Sequence, residues 1–172
     1  MKKYELTEET VIVSGKTLYR IRAVRDFGSV KAGDLGGYIE KEENLSHCGE
    51  AWVSDNAMVC GYAEVCGYAE VSDDAVVSGN AVVSGNARVC GEALVCDNAE
   101  VYGNAKVSGN AKVSGKACVC GDAEVSDTRH FFVQGPIGSR DGFVTFYRTK
   151  NNTVGVRCGC FSGSLQEFVD RV

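Results

Sequence analysis

Proline is nearly missing from this chain, with one residue in 172 against 21 glycines. Its turns must therefore be built on glycine, and a proline-rich linker or a collagen-type repeat is excluded. Histidine is almost as scarce, at two residues, which leaves few candidates for a general base at neutral pH. No apolar run is long enough to read as a bilayer-spanning helix. Met1-Lys2-Lys3-Tyr4-Glu5-Leu6-Thr7-Glu8-Glu9 has no apolar stretch behind its lysines, so it does not read as an export signal. Nine cysteines without such a signal are expected as reduced thiols of a cytoplasmic protein, not as a disulfide framework. With 44% apolar and 24% charged residues, the composition is that of a folded globular protein.

Charge is unevenly placed. Residues 1–50 hold eight basic and nine acidic side chains, residues 51–128 four and eleven, and residues 129–172 six and three. The acidic middle repels nucleic acid along most of the molecule, and only the C-terminal segment attracts phosphate or carboxylate.

From Ala51 to Thr128 the chain is thirteen uninterrupted hexads. Each opens on Ala (Ala51 to Ala123), carries Val two places later (Val53 to Val125), and has Gly or Asp two places after that. Because a strand alternates its side chains, Ala and Val share one face, and the Gly or Asp supplies a turn. One short strand and one turn bury nothing alone, but stacked coils enclose a continuous Ala/Val interior. Thirteen repeats of this pattern resemble the hexapeptide-repeat family. That resemblance implies a left-handed parallel β-helix with three hexads, or 18 residues, per coil. Backward extension puts Ile39 and Leu45 in the Ala column and His47 and Lys41 in the Val column, so the first coil is expected to be irregular. The fold class is thus all-β: an N-terminal β cap (1–44), the helix proper (45–128) and a C-terminal hairpin-plus-helix cap (129–172). A broader right-handed solenoid is the alternative. An ice-binding helix is set aside, because the repeat has no Thr ladder.

Residues 18 apart stack on one outer face. The first face carries Trp52, Glu70, Arg88, Lys106 and Glu124, a solvated wall. The second carries Met58, Val76 and Leu94, then Lys112. Three stacked apolar side chains pointing outward are expected either under a terminal segment of the same chain or in a homo-oligomer interface. Members of the resembled family are commonly trimers, though the face itself serves a dimer equally well. The third face carries Glu64, Val82, Glu100 and Cys118. Cys48 and Cys66 fall on adjacent coils and are read as free thiols replacing Ser. Cys118-Val119-Cys120 and Cys158-Gly159-Cys160 lack partners at zinc spacing, so no metal and no cofactor is expected. Tyr62 and Tyr68 replace corner Asn, where they cover a neighbour or stack on a sugar or base.

At the ends, strands are expected around Thr10–Val13 and Thr17–Val24, joined at Ser14-Gly15-Lys16. Others are expected at Phe143–Tyr147 and Val154–Cys158, with Ser164-Leu165-Gln166-Glu167 opening a short helix as a capping box. The Asp26–Ile39 wording, with Glu43-Asn44-Leu45-Ser46 after it, is similar to the cap of bacterial and phage or prophage hexapeptide proteins of unassigned role, some labelled transferases. The tail, with Gly138-Ser139-Arg140-Asp141-Gly142 and Cys158-Gly159-Cys160-Phe161, resembles phage-type proteins as well. Gly138, Ser139, Arg140, Arg148 and Arg157 are the candidate ligand residues: a Gly-rich loop offers backbone N–H groups and the arginines grip an anion.

Enzymes of the resembled family are mostly acyltransferases, whose chemistry needs a base, usually His, in a cleft between subunits. No His lies in residues 51–128, and His47 and His130 read as cap and junction residues. No catalytic residue is named. The reading is a non-enzymatic phage-type β-helix protein that oligomerises and binds or sequesters a small anionic ligand, such as a nucleotide, or a host protein. An acyltransferase-like enzyme and a purely structural oligomer are the alternatives.

Overall fold

The computed structural model describes residues 2–137 and 141–171. It is an all-β parallel solenoid of about five turns, closed at the C-terminal end by an antiparallel sheet and a short helix. Three strands come first: β1 (Tyr4–Val13), β2 (Lys16–Ala23) and β3 (Leu35–Ile39). Thirteen two-residue strands follow, one per hexad, from β4 (Trp52–Val53) to β16 (Glu124–Val125). They stack into three parallel sheets, and each sheet collects every third strand.

The hydrogen-bond ladder shows why the period must be 18. Met58 N–H donates to the Ala75 carbonyl at 2.9 Å, and Val76 N–H to the Ala93 carbonyl at 2.9 Å. The same bond recurs from coil to coil, so each short strand in the middle of the stack is satisfied by the coil above and the coil below. All thirteen Ala and all thirteen Val of the repeat are 2% exposed or less. Small Ala beside each corner and Val at mid-strand fill a narrow three-sided interior, as the spacing requires.

The turn column explains the Gly/Asp alternation. Asp55, Asp73 and Asp97 stand at φ of 55°, 59° and 61°, the left-handed region that glycine occupies elsewhere in the column. Asp is accepted there because its carboxylate reaches the next coil. Asp73 Oδ2 accepts from Gly91 N–H at 2.8 Å and Asp97 Oδ2 from Gly115 N–H at 2.9 Å. Beside it runs an amide ladder, with Asn80 Nδ2 donating to Asn98 Oδ1 at 3.0 Å.

The outward columns are registered as the 18-residue period requires. Trp52, Glu70, Arg88, Lys106 and Glu124 are successive partners, as are Met58, Val76, Leu94 and Lys112, and Glu64, Val82, Glu100 and Cys118. Glu70 and Arg88 pair at 3.1 Å.

The first coil departs from the backward extension. Ile39 is registered on Val59 and Leu45 on Val65, a step of 20. Both residues therefore sit in the Val column, not the Ala column. Two extra residues lie between Leu45 and Val53, where a clean hexad step would allow six positions. His47 consequently leaves the interior. Its ring packs 4.4 Å from the Tyr4 ring at the cap, and its Nδ1 accepts from Lys3 N–H at 3.4 Å. Buried Lys3 closes this end of the interior, with its Nζ donating to the Ala51 carbonyl at 2.6 Å.

β1 begins six residues earlier than the sequence pattern suggests, because Tyr4–Leu6 pairs with β2 before a register shift that ends at Thr10, while β2 has the expected length one residue earlier. β3 pairs in parallel with the Met58–Val59 strand, so β1–β2–β3 continue the sheet of the apolar column. The C-terminal sheet has four strands where two were expected: β17 (Phe131–Ile137), β18 (Gly142–Arg148), β19 (Val154–Cys158) and β20 (Phe161–Ser164). Helix α1 (Leu165–Val169) opens on the capping box. Ser164 N–H donates to Glu167 Oε2 at 2.8 Å, and Glu167 N–H to Ser164 Oγ at 3.3 Å.

Candidate functional site

The last coil of a solenoid has backbone groups with no coil above them, and β18 takes over part of that duty. Thr145 Oγ1 accepts from Cys118 N–H at 2.9 Å. Thr149 bridges Ala123, Lys150 N–H donates to the Asp122 carbonyl at 3.0 Å, and Lys150 Nζ lies 2.7 Å from Asp122. Alternation along β18 turns Thr145 and Tyr147 toward the solenoid, and both are buried. The Tyr147 ring lies across Gly155, its register partner, where any Cβ would collide with the ring.

This joint gathers a cluster of thiols and hydroxyls. The Cys118 thiol donates to the Tyr102 hydroxyl at 3.4 Å. Cys120 Sγ lies 3.5 Å from Tyr147 Oη and 3.8 Å from Ser162 Oγ. The neighbouring Cys118 thiol is the largest influence on Cys120. With Tyr147, Tyr102 and Ser162 it holds the Cys120 thiol well below the ordinary thiol range, against the opposing effect of burial. Cys118 moves the other way, raised by the neighbouring Cys120 sulfur and by its own burial.

Beside the cluster is a cleft of about 430 Å³, lined by Lys116, Arg157, Glu100, Cys118, Thr145 and Phe143. Lys116 comes from a solenoid corner and Arg157 from β19, directly opposite Thr145 in register. Lys116 Nζ stands 4.8 Å from the centre of the Phe143 ring, and Arg157 Nη1 donates to the Phe161 carbonyl at 3.3 Å. Two cations thus face one carboxylate across a partly enclosed space, a setting for a small anion.

Of the ligand residues expected from sequence, Arg157 lines this cleft. Arg148 lines a different one, of about 290 Å³, with His130 and Phe132. Its Nε donates to the Glu124 carbonyl at 3.3 Å, and its Nη1 lies 3.4 Å from His130 Nε2. The two arginines are therefore not brought together. Gly138, Ser139 and Arg140 lie outside the described residues. His130 is held through Nδ1, which accepts from Ser126 N–H at 3.2 Å. Lys116 was not singled out by sequence, since it sits in the strongly acidic repeat and reads there as a solvated corner.

Met58, Val76 and Leu94 form one column, each half-buried. Hairpin residues Val13 and Lys16 line a cleft of about 410 Å³ together with Val76 and Tyr62. All nine cysteines are free thiols, Cys48 and Cys66 included. Tyr62 is 78% exposed, with Lys41 Nζ 4.5 Å above its ring. Tyr68, 59% exposed, borders a cleft of about 630 Å³ between the Gly28–Leu35 stretch of the cap and the wall of Trp52, Glu70 and Arg88. Among the described residues no three His, Cys, Asp or Glu side chains converge as a metal site.

No curated protein matches this chain. A family model described as the YdcK beta solenoid repeat matches residues 69–85, about one coil at the centre of the stack. The coil-to-coil ladder and this match agree, and the chain is a β-solenoid protein.

Proposed function

We propose that this protein is a non-enzymatic, phage-type hexapeptide β-helix protein that oligomerises and sequesters a small anionic ligand of the nucleotide kind. The observation that carries the reading is the cleft at the C-terminal joint. There Lys116 and Arg157 stand on walls contributed by the solenoid and the added sheet, with an aromatic ring, Phe143, beside them. Guanidinium and ammonium groups supply charge for a phosphate, and the ring offers a face for a base. The tail sequence and the cap wording support a phage-type accessory role in the bacterial cytoplasm. Assembly draws on the Met58–Val76–Leu94 column, whose apolar side chains are aligned by the coil register. Acyl transfer gains no support from the histidines, since His47 and His130 are both held in contacts at the ends of the solenoid.

Isothermal titration with nucleoside mono-, di- and cyclic phosphates tests the reading. At least one is expected to bind. The Lys116→Gln/Arg157→Gln double variant is expected to weaken it at least tenfold, about 1.4 kcal/mol, with an unchanged circular dichroism spectrum. Arg140→Gln, added to Arg157→Gln, tests the Gly-rich loop in the same assay. Equal affinity in all variants, or no binding of any nucleotide by the wild type, would overturn the reading.

A further inference from the structure

We propose that Cys118 and Cys120 form a hydroperoxide-reactive dithiol at the joint between the solenoid and its C-terminal sheet, with Cys120 as the attacking sulfur and Cys118 as its resolving partner. This goes beyond the anion reading: it rests on the two sulfurs and shares with that reading only the cleft lined by Arg157 and Cys118. Cys118, on a two-residue strand, and Cys120, at the corner just after it, both turn to the outer side, flanking inward Val119. Elsewhere along the solenoid that face is open to solvent, but here the C-terminal sheet covers it. The sheet brings Tyr147 to 3.5 Å and Ser162 to 3.8 Å from Cys120 Sγ, while Tyr102 reaches Cys118 at 3.4 Å from the coil below. Hydroxyl donors around a sulfur, with the Arg157 guanidinium in the adjoining cleft, stabilise a thiolate and the hydroxide that leaves when a peroxide bond breaks. Cys120 is only 2% exposed, which excludes bulky electrophiles and leaves small peroxides. Half-buried Cys118 lines the cleft through which one would enter.

The chemistry balances in two steps. The Cys120 thiolate attacks one oxygen of hydrogen peroxide; the S–O bond forms, the O–O bond breaks, and the departing hydroxide takes a proton to leave as water. The Cys118 thiol then attacks the Cys120 sulfenic acid, an S–S bond forms, and the hydroxyl leaves as a second water. Sulfur is oxidised by two electrons in all and peroxide is reduced by two. An external thiol returns the pair to its reduced form by exchange. Alternate residues of an extended segment lie about 6.6 Å apart at Cα, at the upper end of the span that a disulfide bridges, so the bond closes as the backbone rotates at Cys120, beyond the last strand residue Val119.

The test uses the full chain, hydrogen peroxide and peptide mapping. Trypsin cuts after Lys116 and Arg129, so the peptide 117–129 carries these two cysteines and none of the other seven. On limiting peroxide it is expected to lose two hydrogens about tenfold faster than Cys48 or Cys160 is oxidised, although those two are exposed. In Cys118→Ser the sulfenic acid should persist, and dimedone added under denaturing conditions after the peroxide pulse should label Cys120. Tyr147→Phe should slow the reaction while leaving the circular dichroism spectrum unchanged. If exposed Cys48 and Cys160 oxidise first while 117–129 stays reduced, or if dimedone labels Cys120 no more than the others, the proposal is overturned.

Discussion

Replacing Val95 with Asp is expected to leave little folded protein at pH 7 and to restore part of the stability at pH 4. Val95 is fully buried, registered between Val77 and Val113 in neighbouring coils. The interior around it is Ala and Val. The buried polar side chains among the described residues are Lys3, Asn44 and Thr145, all at the ends. A carboxylate at position 95 would therefore have no partner. Burial without one raises a carboxyl pKa by about 3–5 units, which at about 1.36 kcal/mol per unit removes about 4–7 kcal/mol at neutral pH. That is comparable with the whole stability of an ordinary domain, about 5–15 kcal/mol. The direction with pH follows from proton counting. The folded state of this variant holds its proton to higher pH than the unfolded state, so stability is lost as pH rises through the window between the unfolded and folded pKa values. Val95→Asn removes the charge and should show no such pH dependence. Val95→Ala, which leaves only a small cavity, should cost about 2–3 kcal/mol. Urea melts of the three variants at pH 4 and pH 7 check the order. A Val95→Asp protein as stable as wild type at pH 7 would mean that the Val column is not the core.

Replacing Val76 with Lys is expected to split the proposed assembly while leaving the coil intact. Val76 points outward between Met58 and Leu94, so no interior contact is lost. If the column is a self-complementary interface, the new ammonium is buried against a copy of the same apolar face. An unpaired buried charge costs about 3–5 kcal/mol, or about 10²–10⁴-fold in dissociation constant. Sedimentation velocity should find the wild type at a dimer or trimer mass and Val76→Lys at the protomer mass of 18.3 kDa. Val82→Lys is the control: it occupies the equivalent outward position on the third face, between Glu64 and Glu100, and should leave the oligomer unchanged. A wild type that sediments as a single protomer, or an unchanged mass in Val76→Lys, contradicts the interface. The half-burial of the column would then belong to its neighbours and to the hairpin at Val13 and Lys16.

The repeat made the solenoid legible before any coordinates. Thirteen hexads with fixed Ala and Val columns specify which residues face inward, and the 18-residue coil that the family resemblance implies then sets the outward neighbours within the repeat. Where the repeat stops, the same logic misleads. Ile39 and Leu45 look like Ala-column residues only because the chain is counted backward in sixes, and the two extra residues before Val53 carry no mark in the sequence. β17 escaped notice because Gly135 and Pro136 interrupt its apolar pattern, and β20 because Phe161-Ser162-Gly163-Ser164 reads as a turn. Tyr4–Glu9 shows no strand pattern in sequence because three of its six residues are acidic.

The candidate site was legible only in part. Arg157 stood out because it lies in the one basic segment, but its partner across the cleft, Lys116, is a corner residue of an acidic repeat. Cys118 and Cys120 could be placed on the third face by counting. Their surroundings could not, because Tyr147 and Ser162 lie 27 and 42 residues away from Cys120 in sequence and reach it only through the C-terminal sheet. Local pattern carries no information about a contact made by docking one unit on the end of another.

Native mass spectrometry of the full chain purified from a bacterial host tests the central claim most directly, since one spectrum reports subunit number and any retained small molecule. The account predicts a dimer or trimer of the 18.3 kDa chain that carries extra mass under gentle conditions and releases a phosphate-bearing small molecule on denaturation. A bare protomer that gains no mass when nucleotides are added would contradict both the assembly and the anion site.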